Sequence, residues 1–183
     1  MDSGAASYRR FLDGDDDGLV GIIKEYKDGL ILYLNTFTRD LDLAEDLMED
    51  TFVKLVTDRP AFKGKSSFKT WLYAIARNKA LDRLRRRRHD VPLSEVEGQI
   101  DDGRLLEDEY LRQDRKIAVH KALDALAPDQ RQALYLSYIE GFDNREVAAI
   151  MKKSGRQIEN LLYRAKASLK RELDREGFRY EDI

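Results

Sequence analysis

Asp143-Asn-Arg-Glu-Val-Ala-Ala-Ile-Met-Lys-Lys-Ser-Gly-Arg-Gln-Ile-Glu-Asn-Leu-Leu-Tyr-Arg-Ala-Lys166 contains two helix starts in quick succession. Asp143 with Glu146, and Ser154 with Gln157, each stand at the spacing of a capping box. In such a box the first side chain accepts the backbone N–H three residues on, and the later side chain reaches back. The spacing predicts a helix near Asn144 to Met151, a tight turn through Lys152 and Lys153, and a long helix from Gly155 to near Leu173. This is a helix-turn-helix pattern. Ile158, Leu162, Ala165 and Leu169 form the apolar stripe of the last helix, which leaves Arg156, Gln157, Glu159, Asn160, Tyr163 and Arg164 exposed near its start. Amide and guanidinium groups placed there can read base edges in a major groove, with Lys152, Lys153, Arg164 and Lys166 on phosphates. A plain helical hairpin with a charged surface is the alternative.

Upstream, Pro128 suits the first turn of a helix reaching Glu140, with Gly141 as its stop. Residues 90–112 hold a proline, two glycines, many acids and little periodicity, as a linker does. The expected fold is therefore all-α: two small helical domains, residues 1–89 and 113–183, joined by an acidic linker over 90–112, the second being the helix-turn-helix.

The first domain predicts helices over about Asp17–Phe37 and Asp42–Val56, then a long one after a loop at Phe62 to Ser67, where Ser66 or Ser67 can cap it. In the second of these, Ala44, Leu47, Met48, Thr51, Phe52 and Leu55 share one face, and Glu45, Asp46, Glu49 and Asp50 the other. Glu45 with Glu49 and Asp46 with Asp50 are like-charge i, i+4 pairs, which cost an isolated helix roughly a few tenths of a kcal/mol each. Either the acids are simply solvated or they dock a basic partner.

Charge is distributed in blocks. The 183 residues sum to a net charge of −2, yet Met1–Val53 carries −8, Lys54–His89 +10, Asp90–Leu111 −7 and the remainder +3. In the basic block Phe62, Phe68, Trp71 and Tyr73 alternate with Lys63, Lys65, Lys69, Arg77 and Lys79. Cations neutralise phosphates and rings stack on bases, so single-stranded nucleic acid is the ligand this block fits. Cysteine is absent and there are 2 histidines, which removes disulfides, thiol nucleophiles and most metal sites. Asp13-x-Asp15-x-Asp17-Gly18 imitates a calcium loop, but Lys24 stands where the closing glutamate belongs. Gly64-Lys65-Ser66 imitates the end of a P-loop, but Arg59 replaces its first glycine. No catalytic constellation, metal site or cofactor is expected, and the absence of an apolar span or signal segment leads to the expectation of a cytoplasmic protein that does not insert in membranes.

Leu43-Ala-Glu-Asp-Leu-Met-Glu-Asp-Thr-Phe-Val-Lys-Leu55 and Phe62-Lys-Gly-Lys-Ser-Ser-Phe-Lys-Thr-Trp-Leu-Tyr-Ala-Ile-Ala-Arg-Asn78 resemble the second conserved region of bacterial extracytoplasmic-function sigma factors. Ala122-Leu-Asp-Ala-Leu-Ala-Pro-Asp-Gln-Arg-Gln-Ala-Leu134 and the helix-turn-helix resemble their fourth region. The resemblance implies a non-enzymatic subunit that directs core RNA polymerase to promoters. It implies that Glu45, Asp46, Glu49, Asp50 and Phe52 bind the largest polymerase subunits. It assigns Phe62, Lys63, Gly64, Lys65, Ser66, Ser67, Lys69, Trp71, Arg77, Asn78 and Lys79 to the −10 element, the loop capturing an extruded base. Lys152, Lys153, Ser154, Arg156, Gln157, Glu159, Asn160, Tyr163 and Arg164 fall on the −35 duplex. An anti-sigma factor is the further partner implied, and the linker is expected to thread toward the RNA exit path. Glu159 and Leu161 depart from the family, which often has basic residues there, so the preferred −35 sequence is expected to be unusual. A stand-alone helix-turn-helix regulator is the rival reading; it binds duplex DNA as a symmetric dimer and has no use for the acidic and aromatic-basic helices.

Overall fold

The protein, here a computed structural model, is described over residues 2–90 and 121–175; apart from Asp90, the linker expected over 90–112 lies outside these residues. The first unit contains α1 (Ser3–Leu12), α2 (Asp16–Thr38), α3 (Leu41–Thr57) and α4 (Phe68–Asp90). In the second, residues 121–124 are helical, followed by α5 (Pro128–Leu134), a π-helical turn (Tyr135–Ile139), α6 (Asn144–Met151) and α7 (Gly155–Arg175). There is no strand among the described residues.

Local chemistry sets the helix starts. Asp2, Asp15 and Asp40 each cap a helix by accepting a backbone N–H from Ala5, Asp17 and Leu43. Such a cap contributes about 1 kcal/mol. Asp15 also receives Arg10 Nε at 2.8 Å, so the calcium-like run is a capped turn. Both expected capping boxes form: Asp143 Oδ1 accepts from Glu146 N at 2.8 Å while Glu146 Oε2 accepts from Asp143 N at 3.1 Å. Ser154 and Gln157 repeat the exchange at 3.2 and 2.7 Å. Lys152 turns the chain between α6 and α7 in the left-handed region, φ 53°.

Burial follows the expected periodicity. Ile22, Tyr26, Leu30 and Tyr33 of α2 pack with Ala44, Leu47, Phe52 and Leu55 of α3 and with Phe68, Leu72, Ala76 and Ala80 of α4. Ile158, Leu162 and Ala165 close the second unit against Leu134, Val147 and Ile150, with Leu169 half-buried. Each large apolar side chain buried this way contributes about 1.5–3 kcal/mol. The sequence did not show α1, whose Tyr8 and Phe11 enter the first core. Nor did it show that the two units share one continuous core, α4 lying on α6 and α2 on α5.

Candidate nucleic-acid and polymerase interface

The segment between α3 and α4 encloses a cleft of about 200 Å³, lined by Ala61, Phe62, Lys63, Gly64, Lys65, Ser66 and the half-buried Trp71. Gly64 adopts φ +66°, a conformation that costs glycine nothing and bends the loop over the cleft. Ser67 accepts from Thr70 N at 3.2 Å and so caps α4. Phe62 meets Trp71 at 5.3 Å between ring centroids, leaving an aromatic wall with Lys63 and Lys65 exposed at its rim. An apolar wall and a cationic rim can hold a flat base and its phosphate.

A second cleft, about 290 Å³, runs between α3 and α4 and is lined by Asp50, Lys54, Ile75, Asn78, Lys79, Asp82, Arg83 and Arg86. It joins Asn78 and Lys79 to the acidic helix. On that helix Glu45, Asp46, Glu49 and Asp50 are exposed, together with Val53 and Val56. Phe52 departs from expectation. At 6% exposure it fills the core between α3 and its neighbours, so the exposed face of α3 presents the acids and the two valines but not this ring.

In the helix-turn-helix Lys152, Ser154, Arg156, Gln157, Glu159, Asn160, Tyr163 and Arg164 are all exposed. Tyr163 stands out at 77%. Gln157 spends its carbonyl on the cap, and Lys153 pairs with Asp129 at 3.0 Å. Of the two departures, Leu161 is buried and only Glu159 lies on the outer face.

Comparison with known proteins agrees with this geometry. Residues 22–89 match the family described as Sigma-70 region 2, and residues 116–169 match Sigma-70, region 4. The RNA polymerase sigma factor CarQ of Myxococcus xanthus is 31% identical over 143 residues, covering 77% of this chain and 80% of that protein. The ECF RNA polymerase sigma factor SigX of Bacillus subtilis is 27% identical over 157 residues, covering 81% and 80%. Among solved structures, the sigma factor RpoE of Bartonella quintana, in complex with the anti-sigma factor NepR, superposes with a TM-score of 0.65 at 26% identity, covering 83% of this chain and 94% of that one. The chain is an extracytoplasmic-function sigma factor.

This sigma factor thus binds core RNA polymerase and directs promoter-specific initiation, and it makes or breaks no bond itself. No helix among the described residues is long and apolar enough to cross a membrane. In the state described, the second unit grips the α4 side of the first. Lys69 Nζ pairs with Glu140 Oε2 at 2.8 Å, donates to the Glu140 carbonyl at 3.0 Å and lies 4.7 Å above the Phe142 ring. Ser67 and Thr70 donate to Glu146 Oε1 at 3.1 and 2.8 Å. Arg77, 7% exposed, directs Nε at Gln132 Oε1, 3.4 Å away. Arg131 completes the contact from the other side, its buried guanidinium donating to the carbonyls of Thr36, Leu123, Asp124 and Leu126 at 3.0–3.1 Å. Burial raises the hydroxyl pKa of Tyr33, Tyr73 and Tyr135, and the Glu140 carboxylate beside Tyr73 and Tyr135 adds to the effect. The sequence carries no signal for this clasp, because each of its residues has an adequate local explanation.

Proposed function

We propose a division of labour within the sigma factor. Residues 1–89 take the −10 element and contact the polymerase, and residues 113–183 take the −35 element. The acidic face of α3, Glu45, Asp46, Glu49 and Asp50, docks on the largest polymerase subunits, which gives its like-charge pairs a purpose. The Phe62–Ser67 loop and Trp71 trap an unstacked base, and Asn78 and Lys79 hold the neighbouring strand in the second cleft. The observation that carries this reading is the cleft itself, aromatic on one wall and cationic at its rim. Trapping an extruded base offsets a few kcal/mol of lost stacking. The exposed start of α7 reads the duplex through Arg156, Asn160, Tyr163 and Arg164, with Lys152, Lys153 and Ser154 on its flank.

Lys69 and Arg77 belong to the −10 surface only when Glu140 and Gln132 release them, so promoter melting requires the two units to part. The sigma factor works with the polymerase in the cytoplasm, and an anti-sigma factor is a natural partner, as one is for the relative from Bartonella quintana.

Purified protein added to core polymerase, with run-off transcription from a promoter library, tests the proposal. Trp71→Ala or Asn78→Ala is expected to impair promoter melting while leaving core affinity unchanged. Glu49→Lys with Asp50→Lys is expected to weaken core association first. Equal loss of both steps in both variants would contradict the division.

A further inference from the structure

The −10 loop is held at both ends by a helix that lies outside the matched family regions. At its root, Tyr8 of α1 donates its hydroxyl to the Pro60 carbonyl at 2.9 Å, and the guanidinium of Arg59 stacks 5.3 Å from the Phe11 ring centroid. Arg59 carries φ +42°, a left-handed backbone that a non-glycine residue keeps only when its surroundings hold it. At the far end, Asp2 Oδ2 accepts the backbone N–H of Phe68, the first residue of α4, at 2.6 Å. The other oxygen of the same carboxylate caps α1 through Ala5 N at 3.1 Å. Gly4 then lets α1 lie on the Phe68 ring, since a Cβ there would stand 2.4 Å from Phe68 Cδ1 and 2.6 Å from Tyr26 Oη. Between the two anchors the Tyr8 ring backs Trp71, 5.4 Å between centroids.

From this bracket we infer that Tyr8 and Asp2 are positioning residues for the base-capture cleft: they fix the root and the exit of the 61–67 loop and the wall behind Trp71, so that the cleft is formed before a base arrives. A loop pinned at both ends loses less freedom on closing over a ligand, and that saving appears as affinity. The inference rests on the base-capture reading above. Neither residue lines the cleft. Tyr8→Phe keeps the ring and removes the bond to Pro60. Asp2→Asn keeps one oxygen for the α1 cap but replaces the second acceptor with a donor, so Phe68 N loses its partner.

The test uses holoenzyme rebuilt from full-length chain and core polymerase on a promoter selected with the wild type. Permanganate reactivity of unpaired thymines follows melting, and the free chain is followed by acrylamide quenching of Trp71, the sole tryptophan. Losing one such hydrogen bond is expected to lower the melting constant about three- to ten-fold in either variant. Trp71 is expected to become more accessible to quencher, with core affinity and −35 duplex binding unchanged. If wild-type holoenzyme melts its promoter and both variants melt it equally well, the positioning role is overturned. If core affinity falls in parallel with melting, α1 only stabilises the domain, and the inference is likewise overturned. Should Tyr8→Phe fold poorly, Asp2→Asn alone decides. A wild-type holoenzyme that melts no selected promoter would instead defeat the base-capture reading beneath it.

Discussion

Gly29 sits in the middle of α2, where glycine costs a helix about 1 kcal/mol relative to alanine. The structure supplies the reason for keeping it. A Cβ at that position would stand 2.5 Å from Tyr73 Oη and 2.9 Å from Glu140 Oε1, so a bare backbone is what lets the Tyr73 hydroxyl and the Glu140 carboxylate settle against α2. Gly29→Ala therefore has two opposed effects: α2 gains propensity while the clasp loses its seat. The expected outcome is a chain with its unfolding midpoint little changed and its two units further apart. The chain has no cysteine, so dyes on Val20→Cys and Ala167→Cys, both exposed positions, can report that distance by energy transfer. An unchanged transfer efficiency would show that the two side chains simply shift aside.

Among the elements, α6 depends on its ends more than on its length. It has 8 residues, too few to persist without capping and packing, and its first turn is fixed by Asp143 and Glu146. Asp143→Ala is expected to cost about 1 kcal/mol in a urea titration and, if α7 reads the −35 duplex as proposed, to weaken that binding, because α6 packs against α7. Glu146 has a second task, since its Oε1 receives Ser67 and Thr70 from the first unit. These starts were legible in the sequence because a capping box is written within three residues. The acidic and apolar faces of α3 were legible for the same reason, as a period of 3.6 along one helix. Phe52 shows the limit of that legibility: its place on the apolar face was readable, while its assignment to polymerase binding came from resemblance and met a buried ring. Helix α1 was missed although Asp2, Tyr8 and Phe11 carry a cap and an i, i+3 pair. Its function depends on Pro60 and Phe68, more than fifty residues away, and no local pattern encodes such a pairing.

At the scale of the molecule, the clasp between the units is built from groups that tolerate being buried only in one protonation state. Tyr33 is fully buried with no hydrogen-bond partner for its hydroxyl among the described residues, and Tyr73 and Tyr135 lie against the Glu140 carboxylate. Burial, helped for Tyr73 and Tyr135 by that negative charge, raises all three above the ordinary tyrosine value near 10. The sign of the linkage follows. Below about pH 10 the phenols are neutral whether the units are closed or apart, and the contact keeps its full strength. Above it, exposed tyrosines release protons that the buried ones retain, so the open and unfolded forms bind fewer protons and gain in population as pH rises. Energy transfer between the labelled units is therefore expected to fall above about pH 10, together with a rise in tyrosinate absorbance. Glu140→Gln removes the salt bridge to Lys69 and the charge that opposes ionisation of Tyr73 and Tyr135. The variant should accordingly be more open at neutral pH. Its residual closed form should yield over a window nearer the ordinary tyrosine value, though still above it, because burial remains as the larger cause of the shift. Coincident alkaline transitions in the two proteins would mean that Glu140 contributes nothing to closure, and would move the clasp's weight onto Arg131 and the Thr36 carbonyl it holds across the contact.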